Sequence, residues 1–187
     1  MNLYIRLFFV LLSSRFKSTV SVFEEFSTEH RVWPNDLDVL GHMNNGRYFT
    51  ITDLARIEML IRAGLWREMR KHGIYPVMAG ETIQFRRSLM PFQKYSIITH
   101  TLGWDEKFIY VEHRFVSRGE TYALAIVRTR MLCSHSARNS SGIGGAGRVS
   151  PQELMQLVDE NAVSETRMNE VLERWNSSTT LHWNDNA

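Results

Sequence analysis

The stretch NDLDVLGHMNNGRYFTITDLAR, Asn35 to Arg56, sets two acids, a Gly-His pair and two consecutive asparagines ahead of a long apolar run. Asn44 is a good helix N-cap. A helix beginning after it leaves the backbone N–H groups of Asn45, Gly46 and Arg47 without intrahelical partners and aimed back toward the Asp38–His42 turn. A carbonyl placed there would be polarised by those donors and by the positive end of the helix dipole. Asp38, near the same end, has the chemistry of a nucleophile or of a base for a water molecule. The plainer alternative is that Asp36 and Asp38 only cap a turn, and the residue types leave both readings open.

Other residues carry chemistry less clearly. His42 is either a general base or a loop histidine that holds the turn after Gly41 through the backbone. Glu58 is either an acid on the long helix or the partner of Arg62 one turn on. Asp53 and the remaining histidines give no signal. Arg86, Arg87, Arg114, Arg128 and Arg130 would hold phosphates if they met at one mouth, whereas strand arginines usually solvate an outer face. The run GIGGAG, Gly142 to Gly147, formally fits a dinucleotide fingerprint. However, the capping box at Ser150 starts its helix three residues too late, and no parallel repeat follows, so a connector is the better reading.

The elements that must position these groups follow from the pattern. VFEEFSTEHRVW alternates as a strand, and Pro34 ends it. From Asn45 to about Arg62 the chain reads as a helix whose apolar residues spread around most of the wheel, so it should be enclosed on several sides. A shorter helix, GLWREMRKHG, stops at Gly73. ETIQFRRSL, QKYSIITHTLGW, KFIYVEHRFVSR and ETYALAIVRTRMLC are then β-rich runs with hairpin-length connections, which allow antiparallel neighbours but not parallel crossovers. The class is α+β. Ser150-Pro151-Gln152-Glu153 matches a capping box with proline at the first helical position.

Bulk properties exclude several functions. The chain of 187 residues fits one domain with a sizeable core, and a formal net charge of +2 gives no case for nucleic acid. The single cysteine, Cys133, excludes an internal disulfide and a cysteine-based metal site, so neither metal nor cofactor is expected. Nine methionines and five tryptophans suit a core and an apolar cavity lining. The first residues, MNLYIRLFFVLLSSRFKS, are apolar and basic, with no acid before Glu24 and no run long enough to span a bilayer. Three readings of this leader stand: a segment lying on a membrane surface, an import or secretory leader, and a short helix packed on its own domain. The chain divides into a basic apolar leader (1–21), a folded domain (22–135), a Gly/Ser loop (136–149), a helical extension (150–175) and a disordered tail (176–187).

On the residues Asp38-Val-Leu-Gly41-His42-Met-Asn44-Asn45-Gly-Arg-Tyr48, with Asp53-Leu-Ala-Arg56 behind them, the chain resembles the hotdog-fold thioesterases, in the branch of 4-hydroxybenzoyl-CoA thioesterase. It is similar to a thioesterase-like subgroup that carries HMNN-x-RY, RRSLMPFQKY and GWDEKFIYVEHRFV, and the similarity covers Val22 to Cys133. The resemblance implies a hotdog fold: a curved antiparallel sheet wrapped around the long helix. It also implies a homodimer or dimer of dimers with acyl-CoA or acyl-carrier thioester sites at the interface. By correspondence Asp38 is the catalytic carboxylate and the backbone N–H of Asn45 the donor to the thioester carbonyl. Gly41, His42, Asn44, Tyr48, Arg86 and Arg87 are the residues expected to contact substrate.

The leading expectation is therefore hydrolysis of an acyl thioester to acid and thiol without a cofactor. A hotdog dehydratase casting His42 and Glu58 as its pair, and a non-catalytic acyl-CoA or lipid-binding module at a membrane, are the alternatives. A cytoplasmic location is expected; the leader leaves open peripheral membrane contact through residues 1–17 or organellar import.

Overall fold

The computed structural model describes residues 2–134, 147–157 and 170–179. Its strands are β1 (Phe26–Arg31), β2 (Ile74–Phe85), β3 (Lys94–Trp104), β4 (Ile109–Ser117), β5 (Glu120–Cys133) and β6 (Arg148–Val149). Its helices are α1 (Leu3–Ser13), α2 (Asn45–Arg62), α3 (Leu65–Lys71), α4 (Pro151–Gln156) and α5 (Glu170–Thr179), and a 3-10 turn spans Pro34–Asp36. The sheet runs β1-β3-β4-β5-β2, wholly antiparallel, and β6 pairs with β5 at Met131 and Leu132, beyond the residues that pair with β4. Bulges after Met78, Thr101 and Phe115 add the curvature that wraps the sheet around α2.

Helix α2 is enclosed, as the spread of its apolar residues requires. Tyr48, Ile51 and Ala55 pack into one buried cluster with Tyr95, Ile97 and Phe115 of the sheet. The ring of Tyr48 stands edge-on to Phe85 and Phe115 at centroid distances of 5.0 and 4.8 Å, contacts worth about 0.5–1.5 kcal/mol each beyond their buried area. A second cluster, built on Leu65, Met69, Ile109, Met131 and Leu154, packs against Leu60 and Ala63 at the far end of α2. Gly64 and Gly73, both at positive φ, stop α2 and α3.

The boundaries of β2, α4 and α5 differ from the expectation. Strand β2 begins at Ile74, seven residues before Glu81, and passes through Pro76; a missing N–H is tolerated there because β2 is an edge strand. It ends at Phe85, and the N–H groups of Arg86 and Arg87 both donate to the Tyr122 carbonyl, at 2.8 and 3.1 Å. The capping box forms with both of its bonds, but α4 is short. Helix α5 then runs to Thr179, past Trp175, where the chain was expected to leave ordered structure. Trp175 anchors it, donating to Thr82 Oγ1 at 2.9 Å and meeting Tyr110 edge-on. Residues 142–146 of the GIGGAG run and the tail from 180 onward lie outside the described residues.

The leader is joined to this framework by charge. On α1 the docked face is Leu3, Arg6, Leu7, Val10 and Ser14, at helical spacing. Arg6 is buried and bonds through one terminal nitrogen to Asp36, which is fully buried. The same carboxylate accepts from the Trp33 N–H at 2.9 Å and from Arg47 Nε and Nη2 at 3.2 and 3.0 Å. Removing one partner of such a buried pair leaves the others uncompensated. Asp36→Ala is expected to cost about 3–5 kcal/mol in urea unfolding. A loss under about 1 kcal/mol would show that the carboxylate does not organise this end of the fold.

His30 on β1 lies beneath α1, its Nε2 2.8 Å from Thr28 Oγ1 and its ring stacked on Tyr95. Burial, and then the cations Arg6 and Lys17, lower its pKa from 6.5 to about 4. The unfolded chain therefore binds this proton first. The contribution is fully present above about pH 6.5 and is lost as pH falls toward 4. From this residue alone, stability at pH 5 should lie about 2 kcal/mol below that at pH 7. His113, whose pKa is lowered by burial and then by Arg56, acts in the same direction. Urea titrations of wild type and His30→Gln at both pH values test this, the variant showing the smaller difference; equal differences would refute it.

Candidate active site

The turn after the 3-10 segment is closed by local bonds. Leu37 pairs with Met43 across an isolated bridge, Asp38 N–H donates to the His42 carbonyl at 3.0 Å, and Gly41 N–H donates to the Asp38 carbonyl at 3.1 Å. Gly41 has φ 78°, a conformation in which a Cβ is strained even though open space surrounds it. Met43 N–H donates to the Leu89 carbonyl at 2.9 Å, which fastens the turn to the loop that follows β2. Val39 and Leu40 stand exposed at the tip.

Asp38 is held in this turn with its side chain about one-fifth exposed (19%). Its Oδ1 accepts from the Leu40 N–H at 2.9 Å, and its Oδ2 lies 3.2 Å from His42 Nδ1. That nitrogen also faces the Met43 carbonyl at 3.4 Å. Both neighbours of Nδ1 are acceptors, so Nδ1 carries the hydrogen. His42 thus faces the Asp38 carboxylate and the Met43 carbonyl within the turn, in keeping with the loop-histidine reading.

The helix start is more selective than its cap alone suggests. Asn44 donates its N–H to the Asp36 carbonyl at 2.8 Å, and its Oδ1 takes the Gly46 N–H at 2.9 Å. Its carbonyl takes the Arg47 N–H at 2.9 Å. Of the three amides expected to be free, only that of Asn45 has no partner among the described residues. One donor at a helix N-terminus, across a short turn from a carboxylate, is an arrangement suited to a carbonyl that develops negative charge.

The remaining candidates separate. Tyr48 is buried in the core, where it shapes the floor beneath the turn. Arg86 and Arg87 lie in the loop that holds the turn, exposed, and Arg87 pairs with Glu120. Arg114 instead pairs with Glu25 and Glu112, while Arg128 and Arg130 stack near the ring of Phe108, so the five arginines expected on strands do not meet at one mouth. Glu58 lies thirteen residues beyond Asn45, about 20 Å along the helix axis, and pairs with Lys17 at 2.7 Å and Arg62 at 3.5 Å. Within one chain, Glu58 and His42 are therefore not brought together.

Sequence reasoning gave no role to Asp53, Arg56 or His113. Arg56 bonds to Asp53 on its own helix, to Thr52 Oγ1 at 3.3 Å and to His113 Nε2 at 3.1 Å. A guanidinium only donates, so His113 Nε2 accepts and Nδ1 donates to Thr99 Oγ1 at 3.0 Å. Burial and the neighbouring Arg56 hold His113 neutral. The signal was available: an acid and an arginine three apart on α2, and a histidine on the inward face of an alternating strand. Asp53 and Arg56 border an apolar cavity of about 330 Å³, lined also by Leu60, Trp66, Met78 and Met131.

A long helix wrapped by this curved sheet is a hotdog fold, the architecture of a class of thioesterases. The chain belongs to the thioesterase-like superfamily, whose family model matches residues 32–180, well past Cys133. It is 34% identical to Protein THEM6 of Xenopus laevis over 98% of this chain and 81% of that protein. Among solved structures, it is similar to the YbaW probable thioesterase of Escherichia coli (TM-score 0.62, 19% identity, 74% of this chain and 98% of that one). It is also similar to a DHNA-CoA thioesterase of Staphylococcus aureus (TM-score 0.58, 14% identity, 76% and 98%).

The turn geometry makes a prediction independent of chemistry. Gly41→Ala should cost about 1–2 kcal/mol, the strain of a left-handed conformation on a residue with a Cβ. Thermal unfolding measures it, and no change would mean that the turn relaxes to another conformation.

Proposed function

We propose that the chain hydrolyses an acyl thioester to a free acid and a thiol, with the Asp38 carboxylate as nucleophile or as base for water. The observation that carries this reading is the open Asn45 N–H at the start of α2, paired across the turn with Asp38 in a chain of a thioesterase-like family. With the thioester carbonyl oxygen on the Asn45 amide, the carbonyl carbon is open to attack. Either Asp38 adds to it and expels the thiolate, leaving an anhydride that water cleaves, or Asp38 takes a proton from a water that adds directly. In both cases the oxygen charge grows toward the amide and the positive helix end. No step uses a metal or redox group.

Substrate preference is part of the same proposal. Asn45, Phe49, Asp53, Arg56 and Leu60 share one face of α2 by helical spacing, and the cavity starts at Asp53, about 12 Å along the axis from Asn45. An acyl chain following that face must be of medium or greater length to reach the apolar chamber. The thiol carrier is coenzyme A or an acyl-carrier prosthetic group. Two copies would meet through the free edge of β2, where Tyr75, Val77 and Phe85 are exposed.

A panel of acyl-CoA esters from acetyl to palmitoyl, read by thiol release, tests both parts. Dodecanoyl-CoA should be hydrolysed faster than acetyl-CoA. Asp38→Asn should lower kcat by about 10²–10⁴-fold while the melting temperature stays within a few degrees. Equal activity of wild type and variant would overturn the role of Asp38. Tight binding without turnover at any chain length would instead make the protein a carrier or sensor of acyl thioesters.

A further inference from the structure

A groove of about 520 Å³ runs beneath α1, between that helix and the strands β1 and β3. Its charged lining is predominantly cationic: Arg6, Lys17, Arg31 and Lys94 face Glu29 and Glu58. Glu58 is already paired with Lys17 and Arg62. Arg31 and Lys94 lie directly opposite each other in the β1–β3 register, and neither makes an ion pair among the described residues. Like charges in that position repel. Arg6 is 5% exposed and gives Nη2 to Asp36, but its Nε and Nη1 are buried with no hydrogen-bond partner. His30 lies in the same groove, where burial and then the cations Arg6 and Lys17 lower its pKa.

The groove is continuous with an uncovered apolar surface. Phe9 and Val10 of α1 line it, and the outward face of the same helix exposes Tyr4, Ile5, Phe8, Phe9 and Leu12, followed by Phe16 at 84% exposure. Eleven residues are too few to cross a bilayer, and no helix among the described residues is long and apolar enough to do so. A short helix held against the domain through Arg6, Leu7 and Val10, with aromatic residues outward and the cations of the groove beside it, matches a membrane interface in both polarity and charge.

We propose that α1 and the groove beneath it form an anionic-phospholipid docking site. The aromatic face enters the interface, and a lipid phosphate sits among Arg6, Arg31 and Lys94, accepting from the guanidinium nitrogens that the fold leaves unpartnered. The site is separate from Asp38 and does not depend on its chemistry. A soluble phosphate compound, coenzyme A included, offers the same anion without an acyl surface, and the experiment separates the two sources.

The full chain is mixed with phosphatidylcholine vesicles with and without phosphatidylglycerol, and bound protein is measured by flotation. Binding should require phosphatidylglycerol and weaken as salt rises. The exposed pair Arg31→Glu/Lys94→Glu should weaken it by about tenfold or more. Phe8→Ser/Phe9→Ser should do the same with the charges intact, and both variants should keep the wild-type melting temperature and affinity for coenzyme A. Binding equal on neutral vesicles, binding unchanged in the charge variant, or vesicle binding displaced by coenzyme A or inorganic phosphate would each overturn the proposal.

Discussion

The buried carboxylate of Asp36 is the constraint on which the start of α2 and the turn before it depend. Its two oxygens bind a backbone amide and two arginines from different helices, and its own carbonyl holds the Asn44 amide. A charge removed from water is tolerated only when it is this fully paired. The pairing fixes where α2 begins. Because Asn44 is pinned by its N–H, its side chain and carbonyl fall where they take the Gly46 and Arg47 amides, and the Asn45 amide is left over. The open donor is thus a by-product of a buried ion pair.

From that fixed start the helix imposes direction. A straight α-helix carries one face from the open amide, past Phe49 and the Asp53–Arg56 pair, to the apolar cavity. The buried Arg56–His113–Thr99 chain is satisfied internally, so polar side chains can border an apolar space without stranding a hydrogen-bonding group. The second acid of the loop, Asp38, lies outside this network and keeps partial contact with solvent.

Local signals made much of this legible. The Asn44 cap, the glycines that stop α2 and α3, the hairpin strands and the Ser150 capping box are each encoded within a few residues, and each formed. What depended on distant partners was not readable. Pro76 looks like a strand breaker until β2 is known to be an edge. Three free amides were expected because nothing in the sequence says that the Asn44 carbonyl turns back on Arg47. Asp36 was weighed as a turn cap, and its role follows from Arg6, thirty residues earlier. Family resemblance singled out Asp38 and Asn45, which the residue types alone left balanced against a structural reading; the geometry places them on the same turn and is compatible with that assignment.

The docked leader has a consequence for maturation. Here a cut in the linker after Lys17 would release Arg6 from Asp36 and Lys17 from Glu58, stripping partners from two buried carboxylates at once. Loss of residues 1–17 would leave Asp36, whose carbonyl holds the start of α2, without one of its two cations.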